Sequence, residues 1–191
     1  MHFLSIFNLR PELSHPLFVH FPIAFTVCTF VFFAVTLISK NEWCEKASRI
    51  FLYGALLSLG FALFTGDFAE DVVKSKLCSL QMFEEHEEHA YQTLYILLAA
   101  LLVDLGILWS KKKKESITMY LRGLLFLVLL AANGSLILTA HHGAELVYEQ
   151  GAAVNNVTLD CSKVKQHIES EPGHHHDHHE AKDHDEHHHD D

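Results

Sequence analysis

Four long uncharged or nearly uncharged apolar runs constrain this chain more than any other feature. Leu17 to Ser39 is an unbroken stretch of 23 residues. At ~1.5 Å per residue it is long enough to cross a ~30 Å hydrocarbon core. Ile50 to Gly66, Tyr91 to Trp109 and Ile117 to Ala140 follow it. The second run is short and the fourth contains Arg122, yet all four are apolar nearly all round, where a helix of a water-soluble core would carry a charged face at helical period. The first run is too long for a signal-peptide core, has almost no basic flank before it and has no small-x-small site after it, so it reads as a retained span. The fold class expected is therefore all-α: a four-helix transmembrane bundle in the lipid bilayer, with spans at about 17–39, 50–66, 91–109 and 117–140. Residues 1–154 form the membrane domain and 155–191 a separate tail.

Lysine and arginine in the short connections set the expected orientation. Lys40, Lys46 and Arg49 separate the first two runs, and Lys111 to Lys114 separate the last two. These connections are expected inside. The amino-terminal segment offers Arg10 alone, and Asp67 to Ala90 contains Lys74 and Lys76 among many acids, so both termini and the middle connection are expected outside. Trp43, Trp109 and Tyr120 then fall near one interface, Tyr91 and Tyr95 near the other. This topology sorts the histidines. His2, His15, His20, His86, His89, His141, His142 and the ten in the tail all fall on the outer side, and none falls on the inner side.

The stretch Ser14-His-Pro-Leu-Phe-Val-His-Phe-Pro-Ile-Ala-Phe25 opens the first run. Pro16 suits the first helical position, where a missing N–H costs nothing, whereas Pro22 lies inside the helix and is expected to kink it. His15 and His20 are five apart, about 140° around an ideal helix. They do not share a face, and His20, about one turn further in, is the better-buried ligand candidate, with His15 as a cap or supporting group. His86 and His89 are three apart and share a helix face. His86-Glu-Glu-His89 is one residue short of the HExxH spacing and does not read as a zinc protease. Asp104 in the third run and Arg122 in the fourth lie at matching depths across the Lys111–Lys114 connection and are expected to form an ion pair. Asn133 is placed to bond a neighbouring helix, and Gly143 and Gly151 bracket Leu146-Val147-Tyr148 as a short lid.

His15-Pro16, Val19-His-Phe-Pro-Ile-Ala24, Glu85-His-Glu-Glu88 and His141-x-Gly143-Ala144-x-Leu-Val-Tyr148-x-x-Gly151 together resemble the DUF2231 family of uncharacterised bacterial multi-span membrane proteins, over roughly residues 14 to 154. Ala144 stands where the family usually has glycine, and His89 and His142 are additional. The resemblance implies a bacterial inner (cytoplasmic) membrane location, family positions at His15, His20, His86 and His141, and a b-type haem or metal site among them.

Two site chemistries follow from the histidine layer. A four-helix bundle can hold one haem b between helices with imidazoles as axial ligands, His20 with His86 or His141, for electron transfer to a respiratory or redox partner at the outer face. The alternative is a transition-metal ion (Zn, Cu, Ni or Fe) bound by imidazoles, with His89, His142, Asp67, Glu85 and Glu88 as further ligands or supports. A membrane subunit without cofactor, whose histidines cap helices and meet headgroups, is the third reading. The tail from Asp160 carries ten acids against three lysines, a net charge of −7 that reverses if its ten histidines are protonated. It is expected to be disordered, and His174, His175, His176, His178, His179, His184, His187, His188 and His189 read as a metal collector.

There are four cysteines and neither CxxC nor CxxCH, so covalent haem attachment is not indicated. Cys78 and Cys161 both fall outside and are expected to form a disulfide. No Ser/His/Asp arrangement, phosphate loop or cysteine beside a base points to a stand-alone enzyme, and a net charge of −10 argues against nucleic acid.

Overall fold

A computed structural model describes residues 11–110, 115–152, 154, 161 and 162. The tail histidines and their expected disorder lie outside the described residues. The described chain contains α1 (Pro11–Phe18), α2 (His20–Ser39), α3 (Glu42–Lys74), α4 (Gln81–Ser110) and α5 (Glu115–Tyr148), with no strand among these residues. Four stretches are long and apolar enough to span a membrane: Ser14–Ser39, Glu42–Lys74, Gln81–Ser110 and Ser116–Tyr148. The chain is a four-helix bundle of two antiparallel hairpins, α2/α3 and α4/α5, packed so that α2 meets α5 and α3 meets α4. The helices outrun the apolar stretches because polar residues flanking each run continue the helix into the interface.

Local chemistry sets the boundaries. Pro22 supplies no N–H for the carbonyl of Phe18, and that missing bond divides α1 from α2 at Val19, which itself keeps helical dihedrals (φ −63°, ψ −22°) with its N–H on His15 O at 3.1 Å. Thr29 and Thr36 hydroxyls return hydrogen bonds to the carbonyls of Phe25 and Phe32, closing polar groups on their own helix. Lys40 ends α2 in the left-handed region (φ 53°), its N–H on the Thr36 carbonyl. Asn41 then caps α3, its Oδ1 accepting from the Trp43 N–H at 2.8 Å. The whole connection is two residues long, which forces the antiparallel hairpin.

The shared interior is filled by Phe33, Leu52, Leu59, Leu97, Leu125 and Leu129, with Ala55, Ala100 and Ala132 where helices approach closely. Trp43, Trp109 and Tyr120 are exposed on the outside of the bundle, at the end opposite the histidines. Asn133 does not reach a neighbour: its amide donates to Leu129 O on its own helix at 2.8 Å. Leu146 to Tyr148 do not form a separate lid. They continue α5, and the chain reverses only at Gly151 (φ 62°), beyond which the Ala152 N–H donates to Leu146 O.

Asp104 and Arg122 do not pair with each other. Asp104 takes Nε and Nη2 of Arg49 on its two oxygens, at 2.7 and 3.0 Å, while Arg122 Nη2 donates to Glu45 Oε2 at 2.9 Å. Glu45 also accepts from Arg49 at 3.3 Å, so four charges from three helices form one chain. An apolar run starting at Ile50 leaves Arg49 in the connection, with Glu45 before it. Because α3 begins at Glu42, they lie instead on its first turns and face inward.

Candidate functional site

Two imidazoles from different hairpins meet at the histidine end of the bundle. His15, on α1, presents Nδ1 to Ala62 O of α3 at 2.9 Å. His86, on α4, presents Nδ1 to Thr139 O of α5 at 2.9 Å. A backbone carbonyl only accepts, so Nδ1 is the donor in both rings. Each neutral imidazole therefore keeps its unprotonated lone pair at Nε2. The ring centres are 6.2 Å apart and the planes perpendicular.

Both rings line one cavity of about 530 Å³, within the size range of ligand sites. Its walls are mainly apolar, including Val19, Ile23, Leu63 and Leu136, with Phe83 and Val147 from the connection side. Asp67, Glu70, Glu87 and Tyr91 line it as well, and no lysine or arginine does among the described residues. Below His86 the hydroxyl of Thr93 meets Ser135 Oγ at 2.8 Å and Thr139 Oγ1 at 3.2 Å. This cluster satisfies polar atoms between α4 and α5 and holds the turn whose carbonyl receives His86.

The other histidines take different places from those expected. His20 lines the cavity but is exposed, with Nδ1 on Pro16 O at 2.7 Å. His15 is the more buried of the two, so the expectation that His20 is the better-buried candidate is corrected. Depth along the span does not decide burial here: His15 lies on the face that meets α3 at Ala62, and His20, about 140° further round, lies on the exposed side. His141 does not line the cavity: its side chain is 64% exposed and its Nε2 is 3.1 Å from Glu145 Oε1.

His142 joins a second group, with Nδ1 2.9 Å from Glu145 Oε2 and 4.0 Å from Glu85 Oε2, and its ring stacks on His89 at 4.9 Å. His89 in turn has Nδ1 3.1 Å from Gln92 Oε1, and Glu88 accepts from the amide of Gln92 at 3.2 Å. Asp67 is on the cavity side, apart from these pairs. Among the described residues, no three of His, Cys, Asp and Glu are placed together as a metal-ligand set.

Cys78 and Cys161 are joined by a disulfide across a separation of 83 residues. Gln150, 1% exposed, reinforces the same region, its Oε1 accepting from Ser79 N at 3.0 Å and its amide meeting Met82 Sδ at 3.1 Å. Cys28 and Cys44 are free thiols. Gln150 carried no signal in the sequence, since one glutamine after a helix end is ordinary.

No curated protein and no solved structure matches the chain. A family model described as a predicted membrane protein, DUF2231, matches residues 14–156 and so takes in every element of the cavity. With four spanning helices, the His-Pro opening of the first and the His-x-Gly end of the last all inside that match, the chain belongs to the DUF2231 family of membrane proteins.

Proposed function

We propose that this integral membrane protein binds one b-type haem in the cavity between its hairpins, where His15 and His86 would hold it and it would supply one-electron exchange at the outer face of the membrane. The carrying observation is the fixed tautomer of both rings. Each has its Nδ1–H committed to a carbonyl and its Nε2 lone pair unused, as an imidazole that would hold the iron requires. The donor count favours haem over a bare ion. A zinc ion needs three or four protein ligands, and no such set occurs among the described residues. Haem needs only two from the protein, since the porphyrin supplies the rest. When bound it would supply one-electron exchange. His15 and His86 would hold it, and the apolar walls would exclude water.

A second reading has one observation in its favour. Asp67, Glu70 and Glu87 line the cavity, no lysine or arginine is in the lining among the described residues, and Lys74 beside it is already taken up by Glu70, which suits a neutral, membrane-soluble molecule with hydroxyl donors, such as a hydroquinone, better than the two carboxylates of haem. The same Nε2 lone pairs would accept its hydrogen bonds.

Visible spectra of the purified full chain, prepared with ample haem, separate the two. Haem binding gives a Soret band that shifts on reduction, is lost in His15→Ala and His86→Ala, and is retained in His20→Ala and His141→Ala. No Soret band in the wild type, or one indifferent to both substitutions, overturns the haem reading. Saturable hydroquinone binding that needs the same two histidines would then favour the second.

A further inference from the structure

The two ring seats are built to one pattern. His15 bonds the carbonyl of Ala62, and four residues on is Gly66; His86 bonds the carbonyl of Thr139, and four residues on is Gly143. That spacing has a physical reason. In an α-helix the carbonyl of residue i points at the N–H of residue i+4. A ring that reaches that carbonyl from the side must therefore lie over the Cα of residue i+4.

The space over the two glycines agrees with this. A Cβ on Gly143 would lie 3.0 Å from Cε1 and 3.3 Å from Nδ1 of His86. One on Gly66 would lie 3.3 Å from Nδ1 and 3.4 Å from Cε1 of His15. Gly134, nine residues before Gly143 on the same helix, has nothing within 4 Å of its own ideal Cβ.

We propose that Gly66 and Gly143 are positioning residues, each making the seat in which one hairpin holds an imidazole against a carbonyl, so that the cavity is assembled from two equivalent half-sites. Glycine inside a helix is unfavourable relative to alanine, and here the cost is offset by the ring-to-carbonyl contact. The consequence for ligand class is that the site takes a molecule engaged from both hairpins at once by nitrogen lone pairs: a Lewis-acidic centre open on two faces, or a molecule with two hydroxyl donors. That consequence rests on the reading of His15 and His86 as the ligand-holding pair. The seats themselves do not.

Two measurements on the ligand-free full chain test the seats. The first is a double-mutant cycle on thermal unfolding in detergent. With His86 present, Gly143→Ala lowers the melting temperature by about 2–4 °C. In the His86→Ala background the ring is gone, and Gly143→Ala leaves the melting temperature unchanged or raises it. Gly134→Ala behaves the same way in both backgrounds. Gly66→Ala against His15→Ala repeats the cycle on the other hairpin and decides the matter if Gly143→Ala fails to fold. The second is imidazole ¹⁵N NMR, with signals assigned by His15→Gln and His86→Gln. The wild type shows both rings in the Nδ1–H form, and Gly143→Ala loses that form at His86 while His15 keeps it. A purely structural glycine would move the melting temperature without moving the tautomer. Gly143→Ala with no coupling to His86 and an unaltered Nδ1–H signal overturns the proposal, whether or not the protein takes up haem.

Discussion

Asp104 lies in a part of the bundle where a lone carboxylate would be costly, and the bidentate grip of Arg49 is what makes it tolerable. The side chains of this pair are 7% and 15% exposed, so solvent screens little of the interaction. Removing one partner leaves the other charge buried. Asp104→Leu is therefore expected to destabilise the protein by about 3 kcal/mol, and Arg49→Leu by a similar amount, whereas the double replacement costs clearly less than the sum. Arg122 is less committed, holding Glu45 through Nη2 while its Nε has no partner, so Arg122→Leu should cost less than Arg49→Leu. Unfolding midpoints in detergent for the four variants check the order. A double variant as damaged as the two singles combined would show that the pair is not the unit. The sequence made Asp104 and Arg122 visible as charges needing partners, because each interrupts an apolar run. It could not show that the partners were Arg49 and Glu45, since both are unremarkable beside Lys40 and Lys46 until the two-residue turn at Lys40–Asn41 places them on α3.

Each hairpin is held differently at its two ends. At the basic end of the first, the connection is two residues long and capped by Asn41. At the histidine end the link from α3 to α4 passes through Ser75 to Leu80, and there the Cys78–Cys161 bond and the buried Gln150 fasten the hairpins together. Phe83, Leu146 and Ala152 are part of the same corner and line the cavity, so the fastening bears on the site. Cys78→Ser or Cys161→Ser is expected to lower stability by about 2–4 kcal/mol. Gln150→Ala, which orphans the Ser79 N–H, should cost about 1–3 kcal/mol. Unfolding of wild type with and without a thiol reductant, beside the serine variants, is the check: reductant should reproduce the serine phenotype and add nothing to it. Helix existence and number could be read from the apolar runs because lipid demands about 20 consecutive apolar residues. Helix ends could not, since Gln81 to Ala90 and Ala140 to Tyr148 are polar enough to pass for connections, yet those turns carry His86 and Gly143.

At the scale of the whole molecule, the polar chemistry is divided between the two ends of the bundle. The histidine end holds the cavity and the Thr93, Ser135 and Thr139 hydroxyls, and the other end holds Glu45, Arg49, Asp104 and Arg122. Thr93 and Asp104 are eleven residues apart on α4, which is about 16 Å along the helix axis. Leu97 and Ala100 fill that interval, and Leu52, Ala55, Leu129 and Ala132 face them, each fully or almost fully buried. The polar groups within this layer are tied to their own helices, Ser58 on Gly54 O and Asn133 on Leu129 O, and the lone Thr26 hydroxyl has no partner to continue a chain. A proton or metal ion would have to cross several helical turns of packed leucine and alanine without a ligand, which is prohibitive in a low-dielectric interior. The protein is therefore expected to work at one face of the membrane and not to conduct through it. Liposomes containing the full chain, loaded with a pH-sensitive dye and challenged with a pH step or with external Zn²⁺ or Cu²⁺, should leak no faster than protein-free liposomes. A protein-dependent flux that disappears in Asp104→Asn would mean that the two polar ends communicate through the apolar layer, and the one-face reading would fail.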